Sequence, residues 1–341
     1  LVMIINFEKF LKKNNWVLAD GAIGTNLFNI GLKSGDCPEL WNEKEPLKIK
    51  SLIRSFIESG SRIILTNSFG ANYSRLKLHG QQNKSYEISK LSAEIAKEVI
   101  EEFSYQVALA GSIGPTGEIL QPYGNLTADN ATEIFIEQAQ GLIDGGVDIL
   151  WLETISSEEE LLSASEAFKK LNFPWCVTMS FDSSGRTMMG VTTKRLVEII
   201  DTINYPPLAF GANCGVGPAD LIRTIKSIKH FSNFNNIIAK GNAGIPQYIN
   251  EKIEYNGNPE LMAEYAILAR DCGAKIIGGC CGTSPNHIRA MKKTLENNFI
   301  KTPPDDIKIT NTLGNFSSTD DGNNENLSKK RKISRRKKNI P

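Results

Sequence analysis

The sequence predicts an α/β fold consisting of a single (β/α)8 TIM barrel, and three observations support this prediction. Eight short apolar runs alternate with amphipathic stretches, and no second pattern appears before residue 300. Each run is uninterrupted, as is typical of parallel strands that are buried on both faces. No change of winding direction is visible along the chain, which favours a closed barrel over an open sheet.

Each predicted element has its own signal. In chain order, the strands are predicted at residues 17–20, 63–67, 107–111, 148–153, 176–181, 208–213, 237–241 and 275–279. Residues 1–15 precede them and are predicted to form a short helix that covers the barrel floor. The helices between strands begin at prolines in the first turn or at polar N-caps. These positions are Pro46, Pro218, Pro259 and Pro285 for the prolines, and Thr127, Ser157, Asn258 and Ser284 for the caps.

Composition sets the domain organisation and excludes some partners. A chain of 341 residues with 40% hydrophobic content supports a large core. We expect residues 1–301 to form the barrel and residues 302–341 to be a disordered, Lys/Arg-rich tail, because that stretch is too polar to bury a core. The 39 basic and 38 acidic residues almost cancel, so the net charge identifies no partner.

Cysteine usage and hydropathy give the expected location. Six cysteines in a chain without a hydrophobic secretion signal indicate a reducing cytoplasm rather than a disulfide framework. No apolar run reaches the roughly 18 residues of a membrane span, so no membrane partner is expected.

The barrel prediction places functional groups at the C-terminal ends of strands and in the loops that follow them. Polar or thiol groups do end all eight predicted strands. The pairs are Asp20-Gly21, Thr66-Asn67, Gly111-Ser112, Glu153-Thr154, Phe181-Asp182, Asn213-Cys214, Gly241-Asn242 and Cys280-Cys281. We therefore predict an active site on this rim.

Three cysteines on the rim indicate a metal site. Neighbouring residues such as Cys280 and Cys281 are too close along the backbone for an easy disulfide, but both thiolates can face one soft cation. Cys214 ends the sixth strand, one strand away from the eighth, so it can supply a third thiolate. Three thiolates with one open position are typical of a reactive zinc site. A redox pair of cysteines is a weaker alternative, because the spacing is not Cys-x-x-Cys. His287 is disfavoured as a further ligand, because it is predicted to point away from the rim.

The rim motifs carry a resemblance to a known family. They are Asp20-Gly21-Ala22-Ile23-Gly24-Thr25, Thr66-Asn67-Ser68-Phe69, Gly111-Ser112-Ile113-Gly114-Pro115, Glu153-Thr154, Asn213-Cys214 and Gly278-Gly279-Cys280-Cys281-Gly282-Thr283. From residue 16 to residue 295 the chain resembles the homocysteine S-methyltransferase family, including its betaine-using members. The resemblance implies a transferase (EC 2.1.1) of methionine biosynthesis that binds Zn2+ through Cys214, Cys280 and Cys281.

The resemblance also implies a set of substrate-binding residues. Glu153, and Asp20 with Gly21, correspond to the groups that hold the amino acid end of homocysteine, and Thr66 adds a hydroxyl. An aromatic cage suits an onium donor, because a quaternary cation is attracted to ring faces. The cage candidates are Trp41, Phe69 and Tyr73; Tyr123 is better explained by local packing.

The identity of the methyl donor stays open at this stage. Glycine betaine or a related compound such as dimethylsulfoniopropionate ranks first, on Trp41 and the long first loop. Against it, animal betaine enzymes carry a tyrosine where this chain has Gly70. S-methylmethionine is an alternative, and a corrinoid donor is disfavoured because no corrinoid module follows residue 301.

A rival interpretation makes the tail the functional part. Eight of the ten residues from 329 to 338 are basic, and such a run can bind nucleic acid or an anionic surface. A barrel kept only as a carrier would not need three thiols on its rim, so nucleic acid is not the expected partner. The sequence allows an oligomer without predicting one.

Overall fold

The computed structural model describes residues 5–182, 184–249 and 252–322. Its strands are β1 (Val17–Leu18), β2 (Ile63–Leu65), β3 (Ala108–Ile113), β4 (Ile149–Ile155), β5 (Trp175–Met179), β6 (Ala209–Cys214), β7 (Ile237–Gly241), β8 (Pro246–Ile249), β9 (Lys252–Tyr255) and β10 (Ala274–Gly279). All except β8 and β9 are parallel neighbours in the order β1-β10-β7-β6-β5-β4-β3-β2. A bridge between Ala19 and Ile63 joins the two ends, so the predicted barrel is confirmed.

Helices surround the barrel. They are α1 (Phe7–Lys12), α2 (Gly24–Asn29), α3 (Trp41–Lys44), α4 (Pro46–Ser59), α5 (Tyr73–Lys77), α6 (Ser85–Ile100), α7 (Ala128–Asp144), α8 (Glu158–Leu171), α9 (Thr193–Thr202), α10 (Pro218–Phe231), α11 (Pro259–Asp271), α12 (Pro285–Asn297) and α13 (Asp306–Leu313). Among the described residues, no helix is both long and apolar enough to cross a membrane.

Alternate residues of each strand face the barrel interior or the helices. Ile63, Trp151 and Cys176 belong to the inner cluster, while Ile64 and Leu150 pack outward against the helices. The inner cluster also contains Phe7, Phe10 and Leu11 of α1. The predicted N-terminal helix therefore covers the barrel floor and leaves the opposite rim open.

The predicted helix starts are confirmed where a cap or proline marks them. The Thr127 side chain accepts a hydrogen bond from Asn130 N at 3.2 Å, and that of Asn258 accepts one from Leu261 N at 2.8 Å. Helices α4, α10, α11 and α12 each begin at the predicted proline. A proline at this position lacks an N–H group, but the N–H of the first helical residue has no acceptor within the helix in any case.

Two features of the fold differ from the prediction. Strands β8 and β9 form an antiparallel hairpin after β7, with Pro246 opposite Tyr255. Residues 246–255 contain no Asn-Gly or Asp-Gly pair, which is the strongest short-range hairpin signal, so this hairpin was not predicted.

The second difference concerns the tail. Residues 306–313 were expected to be disordered but form α13, because Ile309 and Leu313 are buried against the outer layer of the barrel. The Asp305 side chain caps this helix by accepting a hydrogen bond from Lys308 N at 2.7 Å. The basic run at residues 329–338 lies outside the described residues.

Candidate metal centre

Three thiols converge on the open rim. Cys214 is the last residue of β6, and Cys280 and Cys281 directly follow β10. Their sulfur atoms all lie within 4.8 Å of one another, and Cys214 Sγ is 4.0 Å from Cys281 Sγ. A tetrahedral zinc ion with bonds of about 2.3 Å to sulfur needs sulfur pairs about 3.8 Å apart. The donor set and its spacing therefore fit zinc.

The backbone is bent sharply to bring the thiols together. Cys214 has a φ of 59°, a left-handed conformation that costs energy for a residue with a side chain. The amide of Cys280 donates to Gly241 O at 2.7 Å, which fixes the end of β10 against β7. Gly282 has a φ of 78°, and a Cβ there would lie 2.4 Å from Tyr255 Cβ. Glycine at position 282 thus permits the turn.

Two asparagines hold the thiol loops in place. Asn213 Nδ2 donates to Thr154 Oγ1 at 2.8 Å and contacts Cys280 Sγ at 3.7 Å. Asn242 Oδ1 accepts a hydrogen bond from Cys281 N at 3.1 Å. Such contacts behind a metal ligand orient it and tune its affinity.

The electrostatics of the thiol cluster favour a cation. The hydrogen bond with Cys280 lowers the pKa of Cys214, but that with Cys281 and burial outweigh it and raise the pKa to about 12. The pKa of Cys280 is also raised, first by its hydrogen bond with Cys214. Deprotonating more than one of these three neighbouring thiols is unfavourable, because the negative charges repel one another. A divalent ion removes that penalty by replacing the protons.

A cavity of about 340 Å³ opens beside the thiols. Its walls come from loops after most of the barrel strands. The lining residues include Gly21, Phe28, Glu39, Thr66, Phe69, Ser112, Glu153, Cys214, Lys240, Cys280 and Cys281. Of the predicted site residues, the cavity therefore brings together the three cysteines with Gly21, Thr66, Phe69 and Glu153.

Glu153 is a buried carboxylate in the cavity wall, held by a chain of hydroxyls. Ser112 Oγ donates to its Oε1, and Thr66 Oγ1 accepts from Ser112 N at 2.9 Å. Burial raises the pKa of Glu153, while the charge of Lys240 and the Ser112 hydrogen bond act in the opposite direction. A cationic group of a substrate would compensate the cost of burying this charge.

Lys240 is a cavity residue that the sequence analysis missed. Its Nζ lies 2.8 Å from Asp20 Oδ1, and the two side chains are 3% and 1% exposed. Burial alone lowers the pKa of Lys240, but the carboxylates of Asp20 and Glu153 outweigh it and raise that pKa. The available signal was one charged residue inside an otherwise apolar strand, β7.

Other predicted site residues lie elsewhere. Asp20 is in the barrel interior rather than in the cavity wall, and its Oδ2 accepts from Leu65 N at 2.8 Å. Trp41 is buried, with Lys48 Nζ 4.6 Å from its ring centre, and it does not line the cavity. Tyr73 is exposed at the start of α5, also outside the cavity wall.

His287 has a structural role. Its Nδ1 lies 2.8 Å from Ser284 Oγ, and its Nε2 lies 2.9 Å from Gly257 O. Both ring nitrogens are therefore engaged in joining the start of α12 to the loop before α11. This agrees with the prediction that the ring points away from the rim.

Comparison with known proteins gives one family and a consistent fold. A family model described as homocysteine S-methyltransferase matches residues 17–295. The chain is 27% identical over 291 residues to a methionine synthase from Mycobacterium leprae, covering 81% of this chain and 24% of that protein. The chain thus spans about a quarter of the length of that curated relative.

Solved structures show the same fold. The metallated form of the homocysteine methyltransferase MmuM from Escherichia coli has a TM-score of 0.71 at 20% identity, covering 85% of this chain and 99% of that one. The oxidized form of MmuM has the same TM-score at 22% identity, with the same coverage. At these identities the likeness supports the barrel architecture alone.

Proposed function

Because the chain belongs to the homocysteine S-methyltransferase family, we propose that it transfers a methyl group from an onium donor to homocysteine and so produces methionine. The chain is a methyltransferase, and the family is zinc-dependent. The observation that carries the proposal is the cluster of three thiols in the wall of a cavity large enough for small substrates.

Cys214, Cys280 and Cys281 are the residues that would hold zinc. When bound, zinc removes the proton from a coordinated thiol, so that homocysteine sulfur is a thiolate at neutral pH. Asn213 and Asn242 keep the thiol loops in register through the hydrogen bonds that they make to Thr154 and to Cys281 N. These contacts give the cluster its shape before substrate arrives.

Glu153 is the proposed partner of the homocysteine ammonium group. Its carboxylate is fixed by Ser112, which is itself held by Thr66. Lys240 offsets only part of this negative charge, because its ammonium group is bonded to Asp20 and one positive charge faces two carboxylates. Gly21 and Gly24 line the same cavity, and backbone amides of this loop are the proposed donors to the homocysteine carboxylate.

The methyl transfer itself requires little acid–base catalysis. A bond forms between the homocysteine sulfur and the methyl carbon while the carbon–nitrogen or carbon–sulfur bond of the donor breaks. The leaving amine or sulfide keeps the electron pair and departs neutral, so no general acid is required. The chain contributes mainly positioning and exclusion of water.

The proposed donor is glycine betaine or a related compound such as dimethylsulfoniopropionate. Phe28 and Phe69 in the cavity wall support a cationic donor, because ring faces attract quaternary cations. Trp41 and Tyr73 supply no such support from their present positions. S-methylmethionine and a corrinoid-bound methyl group are the alternatives that a donor test separates.

A donor panel tests this proposal. Zinc-loaded protein is incubated with homocysteine and, separately, glycine betaine, dimethylsulfoniopropionate or S-methylmethionine, and methionine is measured by mass spectrometry. We expect methionine with at least one of these free onium donors. No methionine with any of them would contradict the proposal and move a corrinoid donor to first place.

A location in the reducing cytoplasm stays a prediction. The boundary at residue 301 stays one too, although α13 beyond it packs on the barrel. Binding of an anionic partner by the basic run, the disfavoured alternative, falls on residues outside those that the structure describes.

A further inference from the structure

Glu39 is a second buried carboxylate in the cavity wall, and none of the steps proposed above uses it. It lies between β1 and α3, in a short 3-10 turn at Pro38–Leu40, and is only 5% exposed. It lines the same cavity as Glu153 and the three thiols.

The groups that bind Glu39 are neutral. Gly70 N donates to its Oε1 at 2.6 Å, and Cys37 Sγ donates to its Oε2 at 3.1 Å. Burial and the adjacent Glu39 charge raise the pKa of the Cys37 thiol to about 12, so the thiol stays protonated. In the part of the chain that the structure describes, no lysine or arginine forms an ion pair with Glu39.

A buried carboxylate held only by neutral donors carries a desolvation cost that a cation would offset. Lys240, the cation in the cavity wall, is bonded to Asp20. Two further aromatic residues, Phe28 and Phe69, line the same space. A carboxylate with aromatic rings is a combination that binds quaternary ammonium or sulfonium ions.

We propose that Glu39, together with Phe28 and Phe69, forms a subsite for the positively charged nitrogen or sulfur of the methyl donor. This inference rests on the proposed function and specifies which residue selects an onium donor over a molecule of the same shape without the positive charge. Glu153 serves the acceptor and Glu39 serves the donor. Each carboxylate thus binds one cationic group: the ammonium of homocysteine or the onium centre of the donor.

Gly70 is part of this arrangement. A Cβ at position 70 would lie 2.9 Å from Glu39 Oε1, so a side chain there would push the carboxylate out of place. The absence of a side chain lets the Gly70 amide bind one carboxylate oxygen directly. The loop after β2 therefore sets the orientation of Glu39.

The test compares an onium donor with a carbon isostere that lacks the positive charge. Glycine betaine is paired with 3,3-dimethylbutanoate, and dimethylsulfoniopropionate with 4-methylpentanoate; each isostere keeps the shape and loses the positive charge. For Glu39→Gln we expect the KM of the onium donor to rise at least about tenfold, equivalent to about 1.4 kcal/mol. The inhibition constant of the isostere and the KM of homocysteine should stay within about twofold.

Two variants serve as controls. Glu39→Asp keeps the negative charge and should retain the preference for the cation over its isostere. Glu160→Gln removes a buried carboxylate that is bonded to Thr116 outside the cavity wall, and it should leave both donor constants unchanged. Zinc content and thermal unfolding establish that each variant is folded.

The outcomes separate this inference from the proposed function. If the wild type accepts an onium donor and Glu39→Gln binds donor and isostere as the wild type does, the subsite is wrong while the function stands. An equal loss for the donor and the isostere would also overturn it, since that result indicates altered shape. If the wild type accepts no onium donor, both fail.

Discussion

Lys240 Nζ lies 2.8 Å from Asp20 Oδ1 inside the barrel, where the two side chains are 3% and 1% exposed. The pair joins the end of the first barrel strand to the seventh across β10. It also explains why Asp20, although part of a rim motif, does not reach the cavity. Its charge is committed to Lys240, and its other oxygen to the amide of Leu65.

This ion pair makes a prediction about stability. Lys240→Met leaves a buried carboxylate unpaired, and Asp20→Asn leaves a buried ammonium group with less compensation. We expect each single variant to lose about 3–5 kcal/mol of unfolding free energy in urea. The double variant should lose clearly less than the sum, because neither charge remains; strictly additive losses would show that the two groups are not coupled.

Asn213 is expected to determine how tightly the thiol cluster holds zinc. It bonds Thr154, which has a left-handed φ of 64°, and contacts Cys280 Sγ. Asn213→Ala should weaken zinc binding about 10–100-fold in a chelator competition, as loss of an outer-shell contact does. Asn236→Ala is the matched control, since Asn236 bonds Leu208 O at the opposite end of the barrel strands. Equal affinity for both variants would contradict this role.

Glu153 should act on homocysteine binding and leave the metal alone. Glu153→Gln keeps the shape and the hydrogen bond from Ser112 but removes the charge that pairs with the substrate ammonium. A charge-assisted contact is worth about 1.5–3 kcal/mol, so the KM of homocysteine should rise at least about tenfold. Steady-state kinetics with zinc content in parallel are the measurement. An unchanged KM would remove Glu153 from the acceptor site.

The helix after residue 301 should stabilise the barrel. Ile309 is fully buried, whereas Ile307, two residues earlier on the same helix, is 70% exposed. Ile309→Ala should cost about 2–5 kcal/mol of unfolding free energy, and Ile307→Ala less than about 0.5 kcal/mol. Denaturant unfolding compares the two, and equal effects would mean that α13 does not pack in solution. Methyl transfer should persist in both variants.

The elements that sequence could predict are those with local signals. The apolar runs, the N-cap of Thr127 and the prolines at helix starts depend on neighbours in the chain, so their pattern was visible. The thiol cluster was also predictable, because the parallel barrel brings the ends of its sixth and eighth strands to one rim. Glycine-rich motifs around Cys214 and Cys280 marked the bends that this convergence requires.

The remainder depends on contacts between distant residues. The pairing of Lys240 with Asp20 spans 220 positions, and the bond from Gly70 to Glu39 joins two separate loops. The donor-binding residues were also mispredicted because their positions depend on such long-range contacts. Trp41 is an aromatic residue in the loop predicted to bind the donor, but its ring is buried in the core, with Lys48 over its face.

The central claim is that Cys214, Cys280 and Cys281 hold one zinc ion, and the zinc content of purified protein tests it most directly. Wild type, Cys280→Ala and Cys272→Ala are compared; Cys272 is buried at the end of α11, away from the rim. We predict about one zinc per chain in the wild type and in Cys272→Ala, as a single three-thiolate site requires. Cys280→Ala should retain its fold but less than about a tenth of that zinc; full zinc content in Cys280→Ala would contradict the account.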